Sequence, residues 1–377
     1  MIKYTHIMHI PMNDLKREYA LLQNEIDVAL SEVLKSGRYI GGGVVERFEK
    51  SWANYLNVDH VVSCANGTDA LLIALMALDL HKGDEVIMPS YGYIAAAESA
   101  VLLGLKPVLV DVRSDYNIDT SLIEDAITDQ TKVILPIHLF GLCADMQSIM
   151  AIAKKHQLYV IEDAAQASGG ELIYDGQICK AGSVGTIGCF SHFPTKNLGC
   201  FGDGGSICTH DDDLAAKIKR IKRHGQTTKY IHEEVGINSR LDAIQAAILQ
   251  VKLKYLDEHN DRRRAIAKKY SENIKNEKLQ LPLFKNEHTY HQYALTVSSE
   301  ERSAIKEQLL QYGITTTIYY PKTISQQEAM ADKATVVSDG RSQQLALSNL
   351  CLPMSPTISD EEITYICDII NDKLSCQ

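Results

Sequence analysis

Between Val58 and Thr209 the chain repeats one pattern: a short apolar run of strand length, then a longer stretch with apolar residues at helical spacing. The runs "HVVSCANG", "EVIMPS", "KPVLVDV", "KVILPIHL" and "LYVIEDAAQ" are nearly continuous in apolar character, which marks strands covered on both faces. Such strands separated by helices predict an α/β fold in which helices wrap a largely parallel sheet. In sheets of this kind ligands sit beyond the carboxyl ends of the strands. Asn66, Gly67, Ser90 to Tyr93 and Asp163 all fall there, so one crevice is expected to collect them.

After this region a helical stretch runs from about Arg240 to Asn276 and ends at "LQLPLF". A strand "HTYHQYALTV", a helix from Glu300 to Tyr312, a strand "TTTIYYP" and a closing helix from Asp360 to Lys373 predict a smaller α+β domain. The expected division is a large domain over 1–255 and a small one over 256–377. With 48 acidic against 38 basic residues the formal net charge is -10, which disfavours nucleic acid and anionic membranes as partners. "ALLIALMAL", the longest apolar run, is too short for a bilayer, and "MIKYTHIMHIPMNDLKREY" lacks the pattern of a secretory leader. A cytoplasmic protein is expected. The nine cysteines never take C-x-x-C spacing, so neither a disulfide framework nor a metal site is expected. "KIKRIKRHGQTTK", Lys217 to Lys229, is the one basic cluster, and it suits a solvated helix face as well as an anion site.

Chemistry enters with "FPTKNLGCFGDGG", where Lys196 stands between a Pro-Thr turn and a glycine-rich run. A lysine whose pKa is lowered by desolvation forms a Schiff base with a carbonyl or with pyridoxal phosphate. That cofactor also needs an acid for its ring nitrogen, donors for its phosphate and a flat side chain over its ring. Asp163, ending an apolar strand, suits the acid, although it equally suits a helix N-cap. Gly67 and Thr68 open an apolar helix whose N-terminus attracts a phosphate, and the Ser191 hydroxyl is a second donor, while Thr68 also reads as a cap and Ser191 as a strand serine. Tyr93 is placed to stack on a ring or to pack in the core. A nicotinamide dehydrogenase would need G-x-G-x-x-G after its first strand, where this chain has only "CANGTDA".

"NGTDAL", "PSYGYIAAAESAVLLGLKPVLVDV", "LPIHLFG", "IEDAAQASGG", "CFSHFPTKNLGCFGDGG" and "GINSRLDAIQAAIL" occur in this order and resemble the DegT/DnrJ/StrS nucleotide-sugar aminotransferases, of the fold type I pyridoxal-phosphate transferases. The likeness runs from about Asp14 to the C-terminal helix. It implies that Lys196 holds pyridoxal 5'-phosphate as a Schiff base and that Asp163 faces the pyridine nitrogen. It further implies Gln166 near the ring oxygen, Tyr93 over the ring, and Gly67, Thr68 and Ser191 around the phosphate. Asn238 would reach the cofactor phosphate of a second subunit, giving a homodimer with shared active sites. Arg240 would serve substrate or interface, with a structural ion pair as the alternative, and Tyr320 of "YYPKTISQQ" would touch substrate.

The chain departs from the family pattern at three places. His192 stands where relatives carry an aromatic residue, and either touches substrate or satisfies a core hydrogen bond. Phe193 replaces a tyrosine. In "YYPKTISQQ" Thr323 and Ser325 replace a proline and a histidine, which puts the histidine's substrate contacts in question and leaves Ser325 as the candidate at that position. Lys196 itself argues against the dehydratase subset, which carries histidine there. The resemblance implies ping-pong transamination through pyridoxamine phosphate, with L-glutamate as donor and a nucleotide-linked keto-sugar as acceptor, in deoxyamino-sugar and surface-glycan biosynthesis. "PTKNLG" and "GDGG" resemble members that aminate C3 of a dTDP-3-keto-6-deoxyhexose. Amination at C4 of a UDP- or dTDP-sugar is the alternative, and a pyridoxal-phosphate protein that regulates without turnover is a third.

Overall fold

The computed structural model describes residues 7–374; residues 1–6, which belong to the stretch examined for a leader, lie outside the described residues. The apolar runs form β1 (His60–Cys64), β2 (Glu85–Pro89), β3 (Lys106–Val110), β4 (Thr131–Ile134) and β5 (Tyr159–Asp163). A hairpin, β6 (Glu171–Tyr174) with β7 (Gln177–Lys180), precedes β8 (Ile187–Ser191) and β9 (Gly205–Thr209). The small β10 (Gln226–Thr228) and β11 (Ile231–His232) pair with each other. Further on come β12 (Tyr293–Thr296), β13 (Thr335–Val336) and β14 (Asn349–Leu352).

Eight strands make one sheet in the order β1-β9-β8-β5-β4-β2-β3-β13. Its middle is parallel, and β9 runs antiparallel to both neighbours, β1 and β8. The chain is an α/β protein with a mostly parallel sheet, as its apolar runs predict.

Successive residues of these strands go to opposite faces. Val62, Val86, Met88, Leu109, Val133, Ile161, Ile187, Cys189 and Ile207 pack on one side with α3 (Gly67–Ala77) and α4 (Ala95–Leu102). Toward one end of the opposite face, Val61, Phe190 and Cys208 meet α2 (Gly43–Leu56) and α7 (Ala243–Lys252). Toward the other end, Ile87, Val108, Ile134 and Val160 meet α5 (Met146–His156). The helix α3 is apolar on nearly its whole circumference and correspondingly buried. A separate cluster joins α8 (Leu256–Asn273), β12, α9 (Arg302–Gln311), β14 and α11 (Asp360–Lys373) and takes in Ile10 from the start of the chain.

Three expectations change in detail. The helix expected from Arg240 to Asn276 is two helices, α7 and α8, separated by a 3-10 turn at Leu253–Tyr255. The expected strand "HTYHQYALTV" is strand only over Tyr293–Thr296, paired with β14. "TTTIYYP" forms no ladder because it changes partner every few residues. Ile314 bridges Ile10, Thr317 bridges Cys351, and the amides of Tyr319 and Tyr320 donate to the side chains of Asn349 and Tyr91. Among the described residues no helix is long and apolar enough to cross a membrane, and no group of three or more His, Cys, Asp or Glu side chains is placed to hold a metal ion.

Candidate active site

The register of the sheet brings the ends of three strands together. Asp163 pairs with Cys189, Ser191 with Gly205, and Gly205 with Cys64, so the starts of α3 and of the Lys196 turn are neighbours. A cavity of about 450 Å³ opens there, within the roughly 300–1,000 Å³ usual for small-molecule sites. Gly67, Thr68, Tyr93, Asp163, Gln166, Ser191, Lys196 and Tyr320 line it.

At one end α3 begins with Asn66 as its cap, the side chain accepting from the Asp69 amide at 2.8 Å. Gly67 is required here, because a Cβ at this position would lie 2.7 Å from that of Ser191. Free amides at a helix start, a positive dipole end and the Ser191 hydroxyl form a seat for a phosphate.

At depth, Asp163 and its neighbour Glu162 point to opposite faces of β5. Glu162, fully buried, accepts from His138 Nε2 (2.7 Å) and from the amides of Gly182 (2.9 Å), Val184 (2.8 Å) and Gly185 (2.6 Å). Burial opposes its charge, but these donors, led by His138, hold its carboxyl below the usual glutamate range. Asp163 is also buried and has one such donor, the Ala165 amide at 3.1 Å. Burial therefore wins and pushes the Asp163 carboxyl up, against the Ala165 amide and the Lys196 charge.

Lys196 stands on a turn closed by its amide bonding Phe193 O at 2.8 Å. Gly199 permits that turn, since a Cβ there would meet Pro194 O at 2.5 Å. Burial lowers the Lys196 amine to about 8, although the Asp163 charge pulls the other way. An amine near 8 is a usable nucleophile and proton carrier at neutral pH.

Gln166 is tied at both ends: Oε1 accepts from the Phe140 amide (2.8 Å) and Nε2 donates to the Tyr320 hydroxyl (3.0 Å). Phe140 adopts φ 60, a left-handed conformation unusual for a side chain of this size, which aims its amide at Gln166. Tyr93 is 56% exposed at the cavity mouth with its ring centroid 5.9 Å from that of Tyr320.

Four candidates lie elsewhere. His192 does not form a wall of the cavity: it is fully buried on the other side of β8, with Nδ1 on Leu198 O (3.0 Å), Nε2 on Ser206 Oγ (2.9 Å) and its ring edge-on to Phe48. Strand alternation is the reason, because Ser191 takes the cavity side and its neighbour must take the other. Burial pushes the His192 imidazole down to about 4. Ser325 is likewise not on the cavity; its hydroxyl bonds Thr323 Oγ1 (2.7 Å) and Asp339 Oδ2 (2.6 Å). Asn238 and Arg240 are exposed, and Arg240 lines a different cavity beside Lys219, Lys222 and Arg223 of the basic cluster. Conversely, His291, Gln292 and Asp203 line the reactive cavity without having been singled out in the sequence. Asn66, expected in the crevice at the end of its strand, lines the cavity.

A phosphate seat, a buried acid short of partners, an amine lowered to about 8 and an aromatic mouth fit pyridoxal phosphate. Such a fold and site define an aminotransferase. The family model for the DegT/DnrJ/EryC1/StrS aminotransferase family matches residues 21–371, and the chain belongs to that family. It is a sugar aminotransferase that uses pyridoxal phosphate. It is 42% identical to the UDP-2-acetamido-2-deoxy-3-oxo-D-glucuronate aminotransferase of Pseudomonas aeruginosa, over 94% of this chain and 97% of that one. It is also 42% identical to the dTDP-3-amino-3,6-dideoxy-alpha-D-galactopyranose transaminase of Aneurinibacillus thermoaerophilus, over 96% and 99%. The crystal structure of DesV from S. venezuelae, in complex with a ketimine intermediate, superposes with a TM-score of 0.91 at 38% identity, covering 97% of this chain and 98% of that one.

Proposed function

We propose that the chain transfers the amino group of L-glutamate to C3 of a dTDP-3-keto-6-deoxyhexose, giving a dTDP-3-amino-3,6-dideoxyhexose. The observation that carries transamination is the pairing, in one cavity, of an amine held near 8 with a buried carboxyl that has a single amide donor. The choice of C3 is supported by the segment from Phe193 to Gly205 and by two relatives whose names place the reacting group at position 3. Those relatives differ in nucleotide, one UDP and one dTDP, so both are tested below.

When bound, pyridoxal phosphate supplies an electron sink adjacent to the amino group being moved. Gly67, Thr68 and Ser191 hold its phosphate, and Asp163 keeps a positive charge on its ring nitrogen by offering a fixed negative one. Lys196 would take up and return the proton at the donor's α-carbon, and its lowered pKa matches that work to neutral pH. Tyr93 covers the mouth, and Gln166 with Tyr320 forms a wall. In a homodimer, Asn238 reaches the phosphate of the second subunit's site; its exposure leaves it free for that contact.

The protein is incubated with glutamate and, in turn, 3-keto and 4-keto sugars carried on dTDP and on UDP, and products are identified by mass spectrometry. Aminated product from the dTDP-3-keto sugar is expected. Product from the 4-keto sugars alone overturns the position, and product from UDP sugars alone overturns the nucleotide. Exchange of label between glutamate and 2-oxoglutarate is a separate arm, and its absence would leave a protein that binds the cofactor without turnover.

A further inference from the structure

A second cavity of about 520 Å³ lies where the loops after β3 and β4 meet the segment around β12 and the helix α10 (Gly340–Ser348). It is slightly larger than the reactive one and of a size usual for small-molecule sites. Among the described residues the two share one lining side chain, Gln292. Phe140, which lines the second cavity, gives its amide to Gln166 of the first, so the sites have a wall in common.

Two side chains of the second cavity are more than nine-tenths buried and short of partners. Gln292 is 4% exposed, and its Oε1 has no hydrogen-bond partner among the described residues. His288 is 8% exposed, and its Nδ1 accepts from the Tyr290 amide at 2.8 Å. Burial, aided by the charges of Lys285 and Arg264, pushes its ring down to about 3. A neutral ring that accepts at Nδ1 carries its proton on Nε2. That N-H has no partner among the described residues. Buried polar groups without partners are costly, so a ligand that supplies them gains what the empty cavity lacks.

The rest of the lining limits what such a ligand is. Tyr116, Phe140 and Tyr290 give flat apolar walls, and the Tyr290 ring is stacked on His288 with centroids 4.0 Å apart. At the open end Asp115 is met by Arg113 at 3.1 Å and by Lys285 at 4.0 Å. The exposed guanidinium of Arg341 has no partner among the described residues, which leaves that end positive. The buried end offers one N-H from His288 and a carboxamide that both accepts and donates, on a terminal torsion soft enough to present either atom. A planar edge of carbonyl, N-H and carbonyl matches it. Uracil and thymine carry that edge, and cytosine and adenine do not.

We propose that this cavity is a second small-molecule site that takes a uracil or thymine nucleotide, with the base against His288 and Gln292 and the phosphate at Arg341. The site is separate from the chemistry at Lys196, and its occupancy does not depend on which sugar nucleotide reacts there.

The test uses the full-length chain loaded with pyridoxamine 5'-phosphate, with 5-iodouridine 5'-monophosphate as a photo-crosslinking probe and peptide mass spectrometry to find the adducts. Adducts on Tyr116, Phe140 or Tyr290 are expected. Adducts confined to Tyr93, Tyr319 or Tyr320 would put the probe in the reactive cavity alone and overturn the proposal, as would no adduct at all. Uridine and thymidine 5'-monophosphates should compete with the probe at least about tenfold better than cytidine 5'-monophosphate, adenosine 5'-monophosphate or inorganic phosphate. Equal competition by all five would mean that the base edge is not read. Arg341→Ala, a change at an exposed position, should weaken uridine 5'-monophosphate by about tenfold, and unchanged competition would remove the phosphate from its place. His288→Asn keeps an acceptor for the Tyr290 amide but has no N-H at the Nε2 position, and should weaken the same nucleotide by about tenfold. Nitrogen NMR of ring-labelled histidine in the unmodified chain needs no variant: the Nε2-H tautomer is expected at His288, and the Nδ1-H tautomer there refutes the design of the site.

Discussion

Replacing Glu162 by glutamine should destabilise the fold by about 4 kcal/mol, the cost of leaving two buried donors unpaired. The magnitude follows from donors. Glu162 is fully buried, and its two oxygens serve four N-H groups: Val184 and Gly185 on one, His138 and Gly182 on the other. His138 cannot adapt by moving its proton, because its Nδ1 already accepts from the Ala144 amide at 3.1 Å. A glutamine keeps one oxygen and turns an NH2 group against two donors. Each buried donor left unpaired costs about 1–3 kcal/mol, so two of them give about 2–6 kcal/mol, a large part of the 5–15 kcal/mol typical of a folded protein.

Trp52 provides the assay. It is the chain's single tryptophan, fully buried, with ring centroids 5.2 Å from both Tyr55 and Phe190, the latter on the strand next to β5. Urea titration followed by its fluorescence should show a lower midpoint at unchanged slope. The folded carboxyl lies below the ordinary value of 4.5, so its contribution is fully present above that pH and is lost as pH falls through the folded value. The gap between parent and variant should accordingly close in acid. A variant within about 1 kcal/mol of the parent at pH 7 would refute the reasoning, because it would mean that the four donors find other acceptors.

Lys196→Ala should lower glutamate/2-oxoglutarate exchange by at least about 10²- to 10⁴-fold, the share carried by a positioned acid-base group, with the cofactor's visible absorbance at that site lost as well. His192→Phe should leave the KM for sugar within about twofold and lower stability by about 1–3 kcal/mol, since Leu198 O and Ser206 Oγ lose a buried partner; a changed KM would return His192 to the substrate. The same histidine, held near 4 against 6.5 when unfolded, contributes stability that is present above 6.5 and falls by about 3 kcal/mol as pH drops to 4, visible as a pH slope that His192→Phe removes. If the proposed homodimer shares its sites, mixing Lys196→Ala with Asn238→Ala chains, each inactive alone, should recover about a quarter of the parent sites, because half of the dimers would be mixed and one site in each mixed dimer intact. No recovery would show that Asn238 does not act across subunits.

The sheet was legible because strands buried on both faces leave continuous apolar runs, and the residues at their ends were legible because each sits in a contiguous motif beside its own strand. Gly67, Asp163, Ser191 and Lys196 are of this kind. His291, Gln292 and Tyr319 reach the cavity from loops whose course is set by packing with a distant part of the chain, and nothing local in "HTYHQY" or "TTTIYYP" announces it. His192 was legible in principle. It follows Ser191 on an extended segment, and one residue in such a segment cannot share a face with the next. Ser325 differs again, since its partner Asp339 is another loop residue, brought close by the fold alone.

The contrast between Glu162 and Asp163 carries one further consequence. The two are adjacent and buried, yet their carboxyls move in opposite directions, because one has four donors and the other a single amide. An acid whose folded pKa lies above its unfolded value of 3.8 destabilises the fold once pH exceeds that value, and the penalty grows until pH passes the folded value. At pH 7 the cofactor-free chain therefore bears a cost at Asp163 that a cationic ring nitrogen would offset. Asp163→Asn should raise the Tm of the cofactor-free chain and, by removing the negative charge near Lys196, bring that lysine's midpoint below about 8. With pyridoxal phosphate bound the order should reverse, the parent gaining more in Tm from the cofactor than the variant does. A cofactor-free variant less stable than the parent would mean that the Asp163 carboxylate already has its partners within the chain, and the case for a ring nitrogen as its missing partner would fail.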